Sequence, residues 1–204
     1  MNILTVLRPV SLICAFSGGI ILATTLASSG QSRITMDNEA CVGGLAGFAK
    51  LAKVDIKPAT SPRKIASKCE AQDLDLKASG VVISIKQMQW NGAGFAPLVK
   101  GQLPKRLQLN LRGVTVKSAP ENEPAWQYLV AEANAGRSFN ASLGLSFMAS
   151  TGVLTISNAS LDFKNGNAAS LSAQIHRVNP KFLEKPELAA LAVIIDTLTF
   201  VINS

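Results

Sequence analysis

Apolar residues occupy every second position over much of the chain after residue 73, which leaves few folds open to it. Phe139, Ala141, Leu143, Leu145 and Phe147 form an unbroken run of this kind. Because successive side chains of a β-strand point to opposite faces of a sheet, such a run predicts a strand with one buried face. Further segments alternate in a similar way, at residues 74–76, 81–90, 107–116, 154–163, 169–175 and 198–202.

Helical patterns are fewer and shorter than the alternating ones. Apolar residues at intervals of three and four predict helices over residues 41–54, 124–136 and 186–195. A short strand is expected around residues 34–36. Within the helix at 41–54, the face that packs inward is expected to carry Val42, Leu45, Phe48, Ala49 and Ala52.

The order of these elements predicts the fold class. Consecutive strands joined by short turns favour an antiparallel arrangement. We therefore expect an α+β, β-dominated fold, with a mainly antiparallel curved sheet of about seven strands and two or three short helices over one face or end. The side chains expected to point inward are Leu107, Leu109, Leu111, Leu143, Leu145, Phe147, Ile156, Leu171 and Ile175.

Three points should depart from regular strand geometry. The alternation slips by one residue near Lys86 and Gln87, as a β-bulge would produce. Gly113 interrupts another alternating run at a position suited to a bulge or bend. Asn165 followed by Gly166 predicts a hairpin turn between two strands.

The N-terminal segment resembles a secretory signal. Arg8 precedes nineteen residues without a charge (9–27), and Thr25 and Ala27 provide small residues for signal-peptidase cleavage. The alternative is an uncleaved membrane anchor that contacts the membrane through residues 9–27, because nineteen residues are long enough to span a bilayer. Both interpretations place the rest of the chain outside the cytoplasm, in the periplasm or facing the periplasm or exterior.

The cysteine count agrees with export. Cleavage after residue 27 would remove Cys14 and leave Cys41 and Cys69, which we expect to form a disulfide. Two buried, unpaired thiols are the alternative. We divide the chain accordingly into the N-terminal segment 1–27, a helix with a disulfide-closed basic loop at 33–70, and an antiparallel β domain at 71–204.

Catalytic and cofactor motifs are absent from the sequence. The chain has a single histidine, His176, so a histidine-based triad would depend on it alone. With only three cysteines besides, a Cys/His zinc site is not expected. No nucleotide-binding glycine pattern follows a predicted strand. The sequence therefore predicts a protein without catalysis, cofactor or metal.

Positive charge is concentrated in one part of the chain. Residues 50–117 contain thirteen Lys or Arg against four Asp or Glu, whereas residues 118–204 contain five against seven. Lys100, Lys105, Arg106 and Arg112 are the candidate contacts for an anionic partner. Nucleic acid is not expected, because aromatic residues for base stacking are few. An ordinary solvated basic surface is the alternative.

Three runs of alternating residues carry a family resemblance: residues 107–116 (LQLNLRGVTV), 142–163 (SLGLSFMASTGVLTISNASLDF) and 170–175 (SLSAQI). Their texture resembles that of AsmA-like bacterial envelope proteins of the lipid-transfer type. The resemblance implies a periplasmic, β-rich module that handles or contacts lipid, with a sheet curled around an apolar groove. It assigns no particular residue a role.

Two functions follow as expectations. The first is an exported cell-envelope module that binds or contacts lipid or another anionic envelope component. The second is a structural or protein–protein interaction domain of the periplasm or envelope, which needs only export and an exposed strand edge. The sequence leaves the oligomeric state open.

Overall fold

A computed structural model describes residues 32–51, 53–91, 97, 102–163, 166–179 and 193–203. These residues form two helices, α1 (Ser32–Leu51) and α2 (Pro124–Asn134), and nine strands. The strands are β1 (Asp55–Pro58), β2 (Arg63–Ile65), β3 (Lys68–Ala78), β4 (Val81–Asn91), β5 (Arg106–Ser118), β6 (Phe139–Met148), β7 (Val153–Phe163), β8 (Ala168–His176) and β9 (Ile194–Asn203).

All the strands belong to one antiparallel sheet. From β3 to β9 each strand pairs with the next along the chain, while β1 and β2 both pair with the outer side of β3. The prediction of a β-dominated, antiparallel fold is confirmed. The count of about seven strands was too low, because β1 and β2 lie in the segment expected to be a loop.

One face of the sheet is apolar across its whole width. Residues opposite each other in an antiparallel pair point to the same face, so the register connects apolar positions from strand to strand. Trp90 lies opposite Leu109, Leu109 opposite Leu143, and Leu143 opposite Ala159. The row continues through Leu171 to Phe200. Of the residues predicted to point inward, Leu107, Leu109 and Phe147 are buried, and Leu111, Leu143, Leu145, Ile156, Leu171 and Ile175 are half-buried.

The alternation changes phase along a single line that crosses three strands. Asp73, Lys86 and Gly113 lie at the same level of β3, β4 and β5, and apolar residues switch parity on either side of them. The slip near Lys86 therefore exists, but β3 and β4 keep their register across it, so the predicted bulge in β4 is wrong there. The predicted irregularity at Gly113 is confirmed, because the register between β5 and β6 shifts at this point.

Gly113 is required at this line for two reasons. Its φ of +62° lies in the left-handed region that favours glycine. A Cβ atom at this position would come within 2.9 Å of the Lys86 side chain. The change of phase on β5 therefore requires a residue without a side chain at position 113.

Helix α1 corrects two predictions. It begins at Ser32, so the strand expected around residues 34–36 is wrong; an alternation of two apolar residues is too short to exclude a helix. Its buried face carries Cys41, Leu45 and the half-buried Phe48, whereas Val42 is exposed. The face is displaced from the predicted one toward Cys41, which faces the sheet. Ala52 lies outside the described residues.

The Cys41–Cys69 disulfide is present and joins α1 to β3, with 5.5 Å between the two Cα atoms. Both cysteines are buried in the main core, which lies between α1 and strands β3 to β5. Asn38 adds a second connection, because its Oδ1 accepts a hydrogen bond from the Lys64 backbone N–H of β2 at 2.8 Å. Helix α1 is thus fixed over the first third of the sheet.

The other predicted elements are distributed as follows. Helix α2 ends two residues before the predicted limit, and its residues are half-buried or exposed. The hairpin between β7 and β8 is confirmed, with Gly166 at a φ of +94°. Ile194 and Ile195 belong to β9, so the predicted helix at 186–195 is wrong at its end. The other residues of that helix, like the segment 1–27, lie outside the described part of the chain.

Candidate functional site

The apolar face is covered unevenly, and its exposed part is the first candidate site. Helix α1 packs against β1, β2 and β3, and α2 packs mainly against β5. At the far side of the sheet, β9 presents Leu198, Phe200 and Ile202 on the apolar face, with 59%, 56% and 66% of their surface exposed. Together with the half-buried apolar residues of β6, β7 and β8, these side chains form what we call the open apolar face.

A small second core closes one end of this face. Phe147 of β6, Leu154 of β7 and Val178, which follows β8, are buried together, and Leu103, Ile175 and Val193 pack against them. In this antiparallel sheet the beginnings of β5, β7 and β9 lie at the same end as the last residues of β6 and β8. Residues that adjoin the second core in sequence therefore lie at that end of the open apolar face.

Three cations lie at this end. Lys105 and Arg106 precede and begin β5, and the backbone carbonyl of Lys105 accepts a hydrogen bond from the Phe147 N–H at 3.2 Å. Arg177 directly follows β8 and precedes the buried Val178. All three are exposed, and among the described carboxylates none lies within ion-pair distance of them. We call Lys105, Arg106 and Arg177 the cationic end.

The predicted anion contacts are only partly brought together. Arg106 and Arg112 both lie on the polar face of β5, which their even spacing predicts. The two positions are six residues apart along the strand, or about 20 Å. Lys100 lies outside the described residues. Arg177 could not be predicted as part of this group, because only the pairing of β5 through β8 shows that residues 105 and 177 lie at the same end of the sheet.

A groove on the opposite, polar face is the second candidate site. It has a volume of about 270 Å³ and includes Arg112. The Ser142 and Ser160 hydroxyls lie 2.7 Å apart in it. Two cations, one carboxylate and several neutral polar groups line it, so it has no strong charge of either sign. Its lining side chains are Lys68, Gln89, Asn110, Leu111, Arg112, Asn140, Ala141, Ser142, Ser160 and Asp162.

Glu70 lies beside this groove and is almost fully buried, with 5% of its surface exposed. Gln72, Gln87 and Gln89 each donate a hydrogen bond from Nε2 to its carboxylate at 2.8 Å. Arg63 lies 3.5 Å from the same carboxylate. The hydrogen bond from Gln89, followed by those from Gln72, Gln87 and Arg63, lowers the pKa of Glu70 below its ordinary value of 4.5, although burial acts in the opposite direction.

We predict that Glu70→Gln lowers the free energy of unfolding at pH 7 by about 1–3 kcal/mol, because an amide would place a donor against three donors. Since the folded-state pKa is depressed, the contribution of Glu70 is fully present above about pH 4.5 and is lost as the pH falls through the folded-state value. Urea unfolding at pH 7 and pH 3 should show the difference from the wild type shrinking on acidification. Glu121→Gln is the control, because Glu121 is exposed; an equal effect at both sites would contradict the role of Glu70.

His176 lies at the end of β8 on the polar face. Its Nε2 is 3.3 Å from Gln174 Nε2 and 3.8 Å from Asp196 Oδ2. Within the described ranges, no group of three or more His, Cys, Asp or Glu side chains is arranged to hold a metal ion. The geometry at His176 is that of a polar cluster at a strand end.

Comparison with known proteins gives no relative: no protein-family model, no curated protein and no solved structure matches the chain. Among the helices that the structure describes, none is long and apolar enough to cross a membrane. The function is therefore inferred from the geometry of the candidate sites.

Proposed function

We propose that the protein is an exported cell-envelope module that binds lipid, with acyl chains against the open apolar face and an anionic headgroup at the cationic end. The observation that carries this proposal is the exposure of Leu198, Phe200 and Ile202 on a face that is apolar across the sheet. Large contiguous apolar surfaces of soluble domains mark binding sites for apolar partners. The alternating pattern of residues 107–116, 142–163 and 170–175 resembles that of AsmA-like proteins, and this resemblance implies the same class of function.

The position of the cations supports an anionic lipid as the ligand. Lys105, Arg106 and Arg177 adjoin the second core, which ends the open apolar face. A lipid lying along the strands with its acyl chains on the apolar row would place its headgroup at this end of the sheet. Lys105 and Arg177 lie there just outside β5 and β8, and Arg106 begins β5 on its polar face. Arg112, about 20 Å away along β5, is a proposed second contact for an anionic group in the polar groove.

The disulfide supports export. Disulfides persist mainly in oxidising compartments such as the periplasm and the extracellular space. The Cys41–Cys69 bond and the signal-like residues 1–27 are independent features that favour the same location.

Lipid extraction tests the proposal directly. The protein expressed in a bacterial host and purified without detergent-exchange steps should yield phospholipid or another acylated lipid in mass spectrometry, in near-stoichiometric amount. An unrelated exported protein carried through the same purification is the control. Recovery of no more lipid than from this control would contradict the proposal.

A charge reversal tests the headgroup position. Lys105→Glu, Arg106→Glu and Arg177→Glu together should weaken binding to vesicles of phosphatidylglycerol and phosphatidylcholine by about 10- to 100-fold, since each cation near such a surface contributes on the order of 1 kcal/mol. Binding should also fall as salt shortens the Debye length to about 8 Å. Sedimentation of a chain lacking residues 1–27 with the vesicles measures both effects.

The matched control reverses three cations elsewhere, Lys50, Lys53 and Lys57, which are exposed at the end of α1 and on β1. This variant has the same net charge as the first. If both variants lose binding equally, net charge alone explains the effect and the headgroup position is wrong. If neither loses binding, the cationic end is an ordinary solvated surface.

The alternative function is a protein–protein interaction module of the envelope. It is favoured by one specific observation, the long exposed strand β9 at the edge of the sheet.

A further inference from the structure

The two edges of the sheet are built differently. At one edge, β1 has four residues, contains Asp55 and Lys57, and ends at Pro58; β2 has three residues, two of them cations. Short strands, charges and proline are the features by which proteins prevent an edge from pairing with another chain. β9 at the other edge has ten residues, contains neither proline nor a cation, and has Asp196 as its only charged residue.

β9 also exposes apolar side chains on both faces. Leu198, Phe200 and Ile202 lie on the apolar face, and Val201 lies on the polar face. Within the described part of the chain, β9 pairs with β8 alone, so its outer backbone groups have no strand partner there. The register with β8 shifts beside Asp196, but it is unbroken from Thr197 to Asn203. This seven-residue apolar edge is a template for pairing with a further strand.

We propose that β9 pairs antiparallel with β9 of a second copy of the chain, around a twofold axis perpendicular to the sheet. Such an axis keeps the apolar face of both copies on the same side, so the open apolar face continues across the interface. A twofold interface requires a self-complementary surface. β9 meets this requirement because the apolar side chains of one copy lie opposite the apolar side chains of the other. Asp196, its single charged residue, does not lie opposite Asp196 of the second copy.

The side chains select one register for this pair. With Phe200 opposite Phe200, Leu198 lies opposite Ile202 and Thr199 opposite Val201. Shifting one strand by one residue relative to the other would put the apolar face of one copy on the same side as the polar face of the other. Shifting it by two toward the start of β9 extends the pair into the irregular stretch beside Asp196. Shifting it by two toward the end leaves Leu198 without an opposite residue in β9. The register centred on Phe200 therefore keeps the apolar row intact and leaves the irregular start of β9 outside the pair.

Cysteine cross-linking in the full chain tests this pairing. In a Cys14→Ser background, Phe200→Cys should form a disulfide-linked dimer on non-reducing electrophoresis, because paired Cβ atoms lie about 4.5–5.5 Å apart. Ile202→Cys is the matched control. Its side chain is at least as exposed, yet the two copies of residue 202 would be about 13 Å apart. Leu198→Cys mixed with Ile202→Cys should link.

Charge variants in the Phe200→Cys background separate pairing from random collision. Thr199→Lys with Val201→Lys opposes like charges across the interface and should remove the linked dimer. Thr199→Lys with Val201→Glu places opposite charges across the same positions and should restore it. An unchanged melting transition in both variants shows that the sheet is folded.

Three results would overturn the proposal. They are equal cross-linking at Phe200 and Ile202, no cross-linking at Phe200 in folded protein, and a Phe200 dimer that is insensitive to both charge variants. None of them depends on whether lipid binds, so the pairing and the proposed function fail separately.

Discussion

Phe147→Ala is expected to lower the free energy of unfolding by about 3–5 kcal/mol. Phe147 is buried in the second core with Leu154 and Val178. Removing its ring leaves a cavity between β6, β7 and the residue that follows β8, and these elements are held by the sheet and relax only partly into it. Urea unfolding followed by tryptophan fluorescence or circular dichroism measures the change.

Met148→Ala is the matched control for this substitution. Met148 is the next residue of β6, points to the other face and is 59% exposed. Its truncation should change stability by about 0.5 kcal/mol or less. Similar effects of the two substitutions would show that the second core is not packed as described.

Replacing Cys41 and Cys69 together with alanine is expected to lower the free energy of unfolding by roughly 3–4 kcal/mol. The bond closes a loop with a sequence separation of 28 residues, and the chain-entropy model gives this magnitude for such a loop. The loss of stability should be largest in α1, because the disulfide joins this helix to β3. Chemical denaturation of the variant and of the wild type measures the difference.

Two controls isolate the disulfide. Reducing the wild type should produce nearly the same loss of stability as the double alanine variant. Cys14→Ser should leave the unfolding midpoint unchanged, because Cys14 is not a partner in the bond. A double alanine variant within about 1 kcal/mol of the wild type would contradict the role given to the bond.

The longer strands could be predicted from the sequence because their signal is local. β6 alternates without interruption, and its predicted extent agrees with the structure. β1 and β2 could not be predicted in this way. They have four and three residues, and they are strands because β3 supplies their hydrogen-bonding partners, which no local pattern shows. The first turns of α1 were missed for a related reason, since two alternating apolar residues do not distinguish a strand from a helix.

The candidate site was harder to predict than the strands, because strand pairing brings its residues together and no local sequence pattern shows that pairing. Parity placed Arg106 and Arg112 on one face of β5, but the position of Arg177 at the same end of the sheet as Lys105 follows only from the register of β5 through β8. The buried Glu70 was missed for the same reason. Gln87 and Gln89 lie in one predicted strand and Gln72 lies just before another, but their convergence on one carboxylate requires the pairing of β3 with β4.

Site-specific photo-cross-linking tests the lipid-binding face most directly. A benzophenone amino acid replaces Phe200 in one variant of the full chain and Val201 in another. The two residues are adjacent in β9, are similarly exposed and point to opposite faces of the sheet. After irradiation in cells, mass spectrometry of the purified protein should show a lipid adduct at position 200 and none at position 201. Equal adducts at both positions, or no lipid adduct at position 200, would contradict lipid binding on the open apolar face.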